Sequence, residues 1–139
     1  MPAEDGRSAT RPNSITGRKG EDRAAGYLAS QGCKIVVRNW QAHPGEIDII
    51  AECGDEGDGG EPTVAFVEVR TRHGREGLAE ESISAKKAAS MVSAAYSYME
   101  AHGIDPEVRR WRIDLVSIAL EGNRTTISWI KNAVGEGVW

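Results

Sequence analysis

The 139-residue chain is poor in aromatic residues (6%), has two cysteines, and lacks any apolar run long enough to cross a bilayer. Its first fourteen residues contain no apolar stretch of the kind found in a secretory signal. We therefore expect no membrane association and a cytoplasmic location. In that compartment Cys33 and Cys53, which form no CxxC pattern, are expected to be reduced and inert thiols.

The chain also lacks the basic excess typical of nucleic-acid-binding proteins, since its formal net charge is −4. The segment from Glu52 to Glu61 carries five of the acids and no Lys or Arg, so the rest of the chain is slightly basic. A basic cluster follows at Arg70, Arg72 and Arg75. Charge alone therefore neither favours nor excludes nucleic acid as a partner.

Length and patterning predict one α/β domain over residues 16–139, preceded by a polar tail over residues 1–15 that we expect to be disordered. Helical spacing of apolar residues predicts two helices, at 18–30 and 84–102. Alternation and β-branched residues predict five strands, at 34–39, 46–51, 64–70, 111–120 and 125–130. The second and third strands are joined by a Gly/Asp/Glu-rich loop and are expected to be antiparallel neighbours.

Three acids fall where apolar residues are expected. Glu21 precedes Leu28 by seven residues, which puts it on the apolar stripe of the first helix. Strand alternation predicts that Asp48 shares a face with Ile50, and that Glu68 shares one with Phe66. By the same rule Ile47 and Ile49 lie together on the opposite face of the second strand. A sheet face that mixes acids with large apolar residues indicates a core that opens into a charged pocket.

Several carboxylates in one pocket must either hold protons or bind a cation. Carboxylate oxygens favour hard ions such as Mg²⁺ or Mn²⁺, which can activate water and stabilise a phosphodiester transition state. Glu21, Asp48 and Glu68 are therefore predicted as metal ligands and catalytic residues. Arg70, two residues after Glu68 and on its face, is predicted to hold the scissile phosphate or its developing charge.

Four motifs together resemble the bacterial YraN-like family, which is regarded as related to Holliday-junction resolvases and restriction endonucleases of the PD-(D/E)xK superfamily. The motifs are Gly17-x3-Glu21, GEIDII at 45–50, FVEVRTR at 66–72 and RIDLV at 112–116. The resemblance covers roughly residues 15–134. It implies a restriction-endonuclease-like αβββαβ core, with a mixed central sheet flanked by helices. It also implies a metal-dependent endonuclease acting on branched or structured DNA, for which a homodimer with twofold symmetry would be suitable.

The resemblance also implies residue roles. Glu21 corresponds to the family's helix carboxylate, Asp48 to its strand acid, and Glu68 to the acid of its ExK element. The resemblance gives Glu46 and Asp114 a supporting role at the site. It implies that Lys87, Arg72 and Arg75 contact the DNA backbone on either side of the cleaved bond. Arg70 replaces the lysine of the ExK element, and a guanidinium can stabilise charge but cannot take a proton from water.

Other interpretations of the same residues stay open. Glu21 could form an ordinary salt bridge on the helix flank, and Asp48 and Glu68 could be neutralised by nearby arginines. The basic residues after Glu68 could be solvated surface charges. A non-catalytic nucleic-acid-binding or scaffold protein on the same fold is therefore the alternative function.

Overall fold

A computed structural model describes residues 14–42 (the backbone alone at 14–18), 45–54, 60–73 and 83–134. The elements, in order, are α1 (Ser14–Ser30), β1 (Cys33–Ala42), β2 (Gly45–Cys53), β3 (Thr63–His73), α2 (Ala85–Ala101), β4 (Trp111–Glu121) and β5 (Arg124–Ile130). The predicted α-β-β-β-α-β-β order is confirmed. Helix α1 begins two residues before the predicted domain boundary, and the rest of the predicted tail, at 1–13, lies outside the described residues. Within the described ranges, no helix combines the length and the apolar character needed to cross a bilayer.

The ends of both helices follow from local sequence. Ser84 caps the first turn of α2, where its hydroxyl accepts a hydrogen bond from the Lys87 backbone N–H at 3.2 Å. Gly103 follows α2 and Gly32 follows α1, and both adopt positive φ angles of 68° and 99°. These signals fix where each helix stops, and therefore where the neighbouring strand begins.

The five strands form one mixed sheet in the order β1-β2-β3-β4-β5. The predicted antiparallel pairing of β2 with β3 is confirmed, whereas β3 and β4 run parallel and are joined through α2. The helices cover opposite faces of the sheet. Ala24 and Leu28 of α1 pack against Val67 and Ile118, whereas Met91 of α2 packs in the cluster on the other face. The α/β class with an αβββαβ-type core is thus confirmed.

Strand β2 lies unusually close to α2 at its first residue. A Cβ atom added to Gly45 would collide with the backbone carbonyl oxygen of Ser90 and would lie 2.7 Å from the Ser90 Oγ. Gly45 therefore has no room for a side chain, and this contact sets the separation between α2 and the start of β2.

The predicted alternation of β2 is wrong at Asp48. Ile47 packs with Ile50 beneath α2, whereas Ile49 belongs to the cluster beneath α1. The strand therefore departs from strict alternation between Ile47 and Ile49. The facing position on β1 is also irregular, because Asn39 lies between the paired residues and adopts a left-handed φ of 58°.

The prediction of two reduced thiols is also wrong, because Cys33 and Cys53 are joined in a disulfide. Cys33 opens β1 and Cys53 closes β2, and the antiparallel register pairs them with their Cα atoms 4.2 Å apart. The separation of 20 residues conceals this pairing, since only the hairpin register brings the two strand ends together. The disulfide thus closes the end of the β1–β2 hairpin that lies away from its turn.

Candidate active site

The site begins where β2 and β3 stop pairing. Their ladder runs from Cys53 opposite Thr63 to Ile49 opposite Val67. At the next step the Asp48 carboxylate takes the place of a backbone acceptor, and its Oδ2 accepts a hydrogen bond from the Val69 N–H at 2.9 Å. Asp48 is 6% exposed, so its carboxylate is held inside the sheet at the point where the strands separate. The break in strand alternation thus occurs at Asp48, the acid that the sequence predicts as a metal ligand.

Glu68 lies beside Asp48 on the α2 face of β3, as predicted. Its carboxylate is 3.6 Å from the Lys87 Nζ and 3.9 Å from the Arg70 Nε. Burial and then the negative charge of Asp48 raise the pKa of Glu68 from 4.5 to about 7, although Lys87 and Arg70 act in the opposite direction. The two nearby cations therefore do not fully compensate the two carboxylates.

Glu21 is buried, at 4% exposure, and lies one helical turn before Ala24 on the sheet-facing side of α1. The preceding Gly20 packs against β3, where an added Cβ would collide with Thr71 Oγ1. This contact brings the start of the described part of α1 to the end of β3. In the described ranges no three His, Cys, Asp or Glu side chains are grouped closely enough to hold a metal ion. The structure thus brings Asp48 and Glu68 together, and Glu21 as a third ligand stays a prediction.

The two residues predicted to support the site have different environments. Glu46 lies at the turn end of β2, where its Oε1 accepts a hydrogen bond from Gln41 Nε2 at 3.3 Å. Asp114 is fully buried and accepts bonds of 2.9–3.0 Å from the Arg112 Nε, the Trp129 Nε1 and the Asn132 N–H. This arrangement gives Asp114 the structural role that the sequence left open.

Of the three residues predicted to contact DNA, the structure describes Lys87 and Arg72. Lys87 projects from the first turn of α2 to Glu68, and is thus part of the carboxylate site. Arg72 is half-buried near the end of β3, paired in register with Ala119 of β4. Arg75 lies outside the described residues. Sequence patterning placed Lys87 on a helix but gave no measure of its distance from Glu68, which depends on how α2 packs.

The Asp48 and Glu68 pair suits a hard divalent cation. Both donors are carboxylate oxygens and both side chains are largely removed from water, and burial, followed by the negative charge of Asp48, raises the pKa of Glu68. A cation placed between them would relieve the repulsion between the two carboxylates. The donor chemistry therefore fits Mg²⁺ or Mn²⁺ better than a metal that prefers sulfur or imidazole ligands.

Trp129 and Asn132 were not identified from the sequence. Both donate to Asp114, and they come from β5 and from the segment that follows it. No linear pattern connects them to Asp114, since their proximity depends on the register of β5 against β4. The RIDLV motif contains the acid and one of its donors, Arg112, but neither Trp129 nor Asn132.

Comparison with known proteins gives one consistent result. A family model described as "Uncharacterised protein family UPF0102" matches residues 20–118. A UPF0102 protein of Chloroflexus aurantiacus is 40% identical over 126 residues, covering 90% of this chain and 97% of that protein. UPF0102 proteins of Roseiflexus castenholzii and Stutzerimonas stutzeri are 40% and 36% identical, and each alignment covers at least 85% of this chain and 92% of the relative.

Proposed function

The chain belongs to the uncharacterised protein family UPF0102, the YraN family, and on that premise we propose that it is a metal-dependent endonuclease that hydrolyses DNA phosphodiester bonds. The observation that carries the proposal is a pair of carboxylates, the buried Asp48 and the partly buried Glu68, at the point where β2 and β3 separate. Structural acids are normally neutralised by donors, whereas burial, together with the negative charge of Asp48, raises the pKa of Glu68 to about 7 despite Lys87 and Arg70.

In this proposal Asp48 and Glu68 hold Mg²⁺ or Mn²⁺, with Glu21 as a further direct or water-mediated ligand. When bound, such an ion would activate a water molecule and neutralise charge on the phosphate. The protein contributes an enclosed carboxylate pair whose strands are held by the Val69 N–H bond to Asp48. This bond orients the Asp48 carboxylate before any ligand arrives.

The cations beside the pair would bind the substrate. Hydrolysis adds a water oxygen to phosphorus and breaks one P–O bond, and the leaving oxygen ends with a proton as a hydroxyl group. Arg70, next to Glu68, has a planar set of donors suited to the non-bridging phosphate oxygens, but it cannot accept the proton of the attacking water. Lys87 adds a second positive charge at the same carboxylate, and with Arg72 and Arg75 it would hold the flanking backbone.

Branched or structured DNA is the proposed substrate, on the resemblance of the motifs to junction resolvases. Symmetric cuts in a four-way junction require two active sites, so the proposal extends to a twofold homodimer on that substrate. Analytical ultracentrifugation with a labelled junction tests this point. Two protein chains per junction are expected, and a single chain at saturation would contradict the dimer.

A non-catalytic nucleic-acid-binding or scaffold protein is the second candidate function. The observation that favours it is Arg70, because the position has lost the amine that could exchange a proton. The two functions differ in product formation and in the role of the carboxylates, and both differences can be measured.

The test combines cleavage with metal binding. The wild type, Asp48→Asn and Glu68→Gln are incubated with four-way junction, flap and single-stranded DNA in Mg²⁺ or Mn²⁺, and Mn²⁺ binding is followed by calorimetry. Glu100→Gln, a change to an exposed acid of α2, is the matched control. We expect metal-dependent product from the wild type and the control, with a loss of 100-fold or more in both site variants.

Two results would count against the enzyme. Equal product from the wild type and both site variants would remove the carboxylates from the reaction. Absence of product with every metal, together with DNA binding unchanged in both variants, would favour the scaffold. Circular dichroism of each variant separates either result from a failure to fold.

A further inference from the structure

The α1 face of the sheet carries an open groove that the carboxylate site does not include. Two adjoining cavities of about 470 and about 250 Å³ share Arg23, His73 and Leu120 as lining residues, and we call them together the α1 groove. Lys19 lines the smaller cavity, and Asn123 and Thr125 of the β4–β5 hairpin line the larger one. Among the described residues that line either cavity, none is an acid. In a chain of net charge −4, this surface is locally basic.

Arg23 is held in position within the groove. Its Nη1 donates a hydrogen bond of 2.6 Å to Thr125 Oγ1, which links α1 to β5. A guanidinium has five N–H donors, so this bond leaves others able to point into the cavity. Lys19 lies one turn earlier on α1 and is exposed, and His73 is exposed at the last residue of β3. The groove therefore presents a fixed guanidinium flanked by an ammonium and an imidazole.

The acids nearest in sequence are directed elsewhere. Glu21 is buried on the sheet side of α1. Asp22 forms an ion pair with Arg38 of β1 at 2.8 Å, on the other flank of the helix. Glu121 is the register partner of Arg124 in the β4–β5 hairpin. None of these three acids lines either cavity of the groove.

The groove adjoins the carboxylate site through β3. Thr71 and His73 lie three and five residues beyond Glu68 on the same strand, and Thr71 also contacts Gly20 at the start of the groove. Five residues of strand span about 17 Å. Strand alternation puts Thr71 and His73 on the α1 face and Glu68 on the α2 face, so a nucleic acid strand that reached both would pass around the end of β3.

We propose that the α1 groove binds the phosphate backbone of the nucleic acid outside the Asp48 and Glu68 site, on the opposite face of the sheet. The inference rests on the proposed function for the identity of the anion. The charge, the fixed Arg23 and the absence of acids in the described lining suit a polyanion that tracks along the end of β3. A guanidinium and an ammonium contact phosphates without reading bases, so this contact would be independent of sequence.

The test measures binding in EDTA, so that no cleavage takes place. Fluorescence anisotropy of a labelled four-way junction and a labelled single strand is followed for the wild type, Lys19→Glu and Arg23→Glu. Lys34→Glu is the matched control, since Lys34 is exposed at the opposite end of the sheet, paired with Glu52. We expect Kd to rise about tenfold in each groove variant, with a shallower salt dependence, and less than twofold in the control.

Arg23→Glu also breaks the bond to Thr125, and Lys19→Glu guards against loss of folding, because Lys19 is exposed on the helix. Kd values for both groove variants within twofold of the wild type would overturn the proposal. If both groove variants bind DNA more weakly and the wild type shows no cleavage with metal, the groove proposal stands and the nuclease proposal fails. Cleavage that depends on Asp48 but not on Lys19 or Arg23 would retain the nuclease and remove the groove.

Discussion

Asp114 and Glu68 are acids on neighbouring parallel strands, the first fully buried and the second partly buried, and their surroundings differ. Asp114 is the register partner of Val67, the residue before Glu68, and it receives hydrogen bonds of 2.9–3.0 Å from three residues. Glu68 has two cations at 3.6 and 3.9 Å, a second carboxylate beside it and a raised pKa. Asp114 is thus stabilised by donors built into the fold, whereas burial and a neighbouring carboxylate both disfavour the charged form of Glu68, which a bound cation would favour.

The largest expected effect comes from the compensated acid. Asp114→Ala leaves the Arg112 guanidinium and the Trp129 indole N–H without their acceptor, in a position with no access to water. We expect the free energy of unfolding to fall by about 3 to 5 kcal/mol. Urea unfolding measures this change, with Glu107→Ala, at an exposed turn position, as the control. A loss no larger than the control's would contradict the structural role of Asp114.

The pH dependence of stability tests whether the environment of Glu68 favours its protonated form. The pKa of Glu68 is about 7 in the folded protein and is expected near 4.5 when unfolded, so the folded state binds the proton more tightly. As pH rises from 4.5 to 7 the unfolded state loses this proton first, and the free energy of unfolding falls by on the order of 3 kcal/mol. Above pH 7 this contribution levels off.

The measurement is urea unfolding between pH 5 and 8 in EDTA, for the wild type and Glu68→Gln. The difference between their curves isolates Glu68 from the other carboxylates. We expect the wild type to lose stability relative to the variant as pH rises. A difference that is constant with pH would show that Glu68 titrates normally.

Removing one charge from the Asp48 and Glu68 pair should raise the free energy of unfolding, whereas Asp114→Ala should lower it. Asp48→Asn keeps an oxygen that can accept the Val69 N–H bond but removes the repulsion with Glu68. We expect the free energy of unfolding at pH 8 to rise by about 1 kcal/mol. Thermal unfolding in EDTA measures it. Destabilisation comparable to Asp114→Ala would make Asp48 a second structural acid and end the contrast.

The smallest effect is expected at Lys87. Lys87→Met removes a cation 3.6 Å from Glu68, so the pKa of Glu68 should rise above its wild-type value, while stability at pH 8 falls by less than about 1 kcal/mol. Carboxyl NMR titration reports the pKa directly. Lys86→Met, at the exposed neighbouring residue, is the control and should leave the titration unchanged. Equal titration curves for the two variants would show that Lys87 does not influence the pKa of Glu68.

The order of elements could be predicted because each follows from local spacing. Leu28 and Met91 are buried at the helical positions predicted for them, and the Gly/Asp/Glu-rich loop correctly indicated the β2–β3 hairpin. The errors occur where distant pairing overrides local pattern. Alternation fails at Asp48 opposite the left-handed Asn39, and the Cys33–Cys53 disulfide depends on hairpin register.

The candidate site shows the same division. The motifs identified Asp48, Glu68 and Arg70 by residue type and spacing, because the two strands carry them on short, regular segments. The donors of Asp114 and the position of Arg23 against Thr125 depend on how β5 and α1 pack, which spacing does not encode. Local sequence thus indicated which acids could form a site, but not which side chains surround them in the folded protein.

The contact between Gly45 and Ser90 has a consequence for the distance from Lys87 to the acids. Gly45 lies three residues before Asp48 on β2, and Ser90 lies three residues after Lys87 on α2. A methyl group at position 45 would act as a wedge and push the helix off the strand. Lys87 would then move away from Glu68, although neither of these two residues had been changed. The distance between Lys87 and Glu68 therefore depends on the absence of a side chain at Gly45, which contacts neither of them.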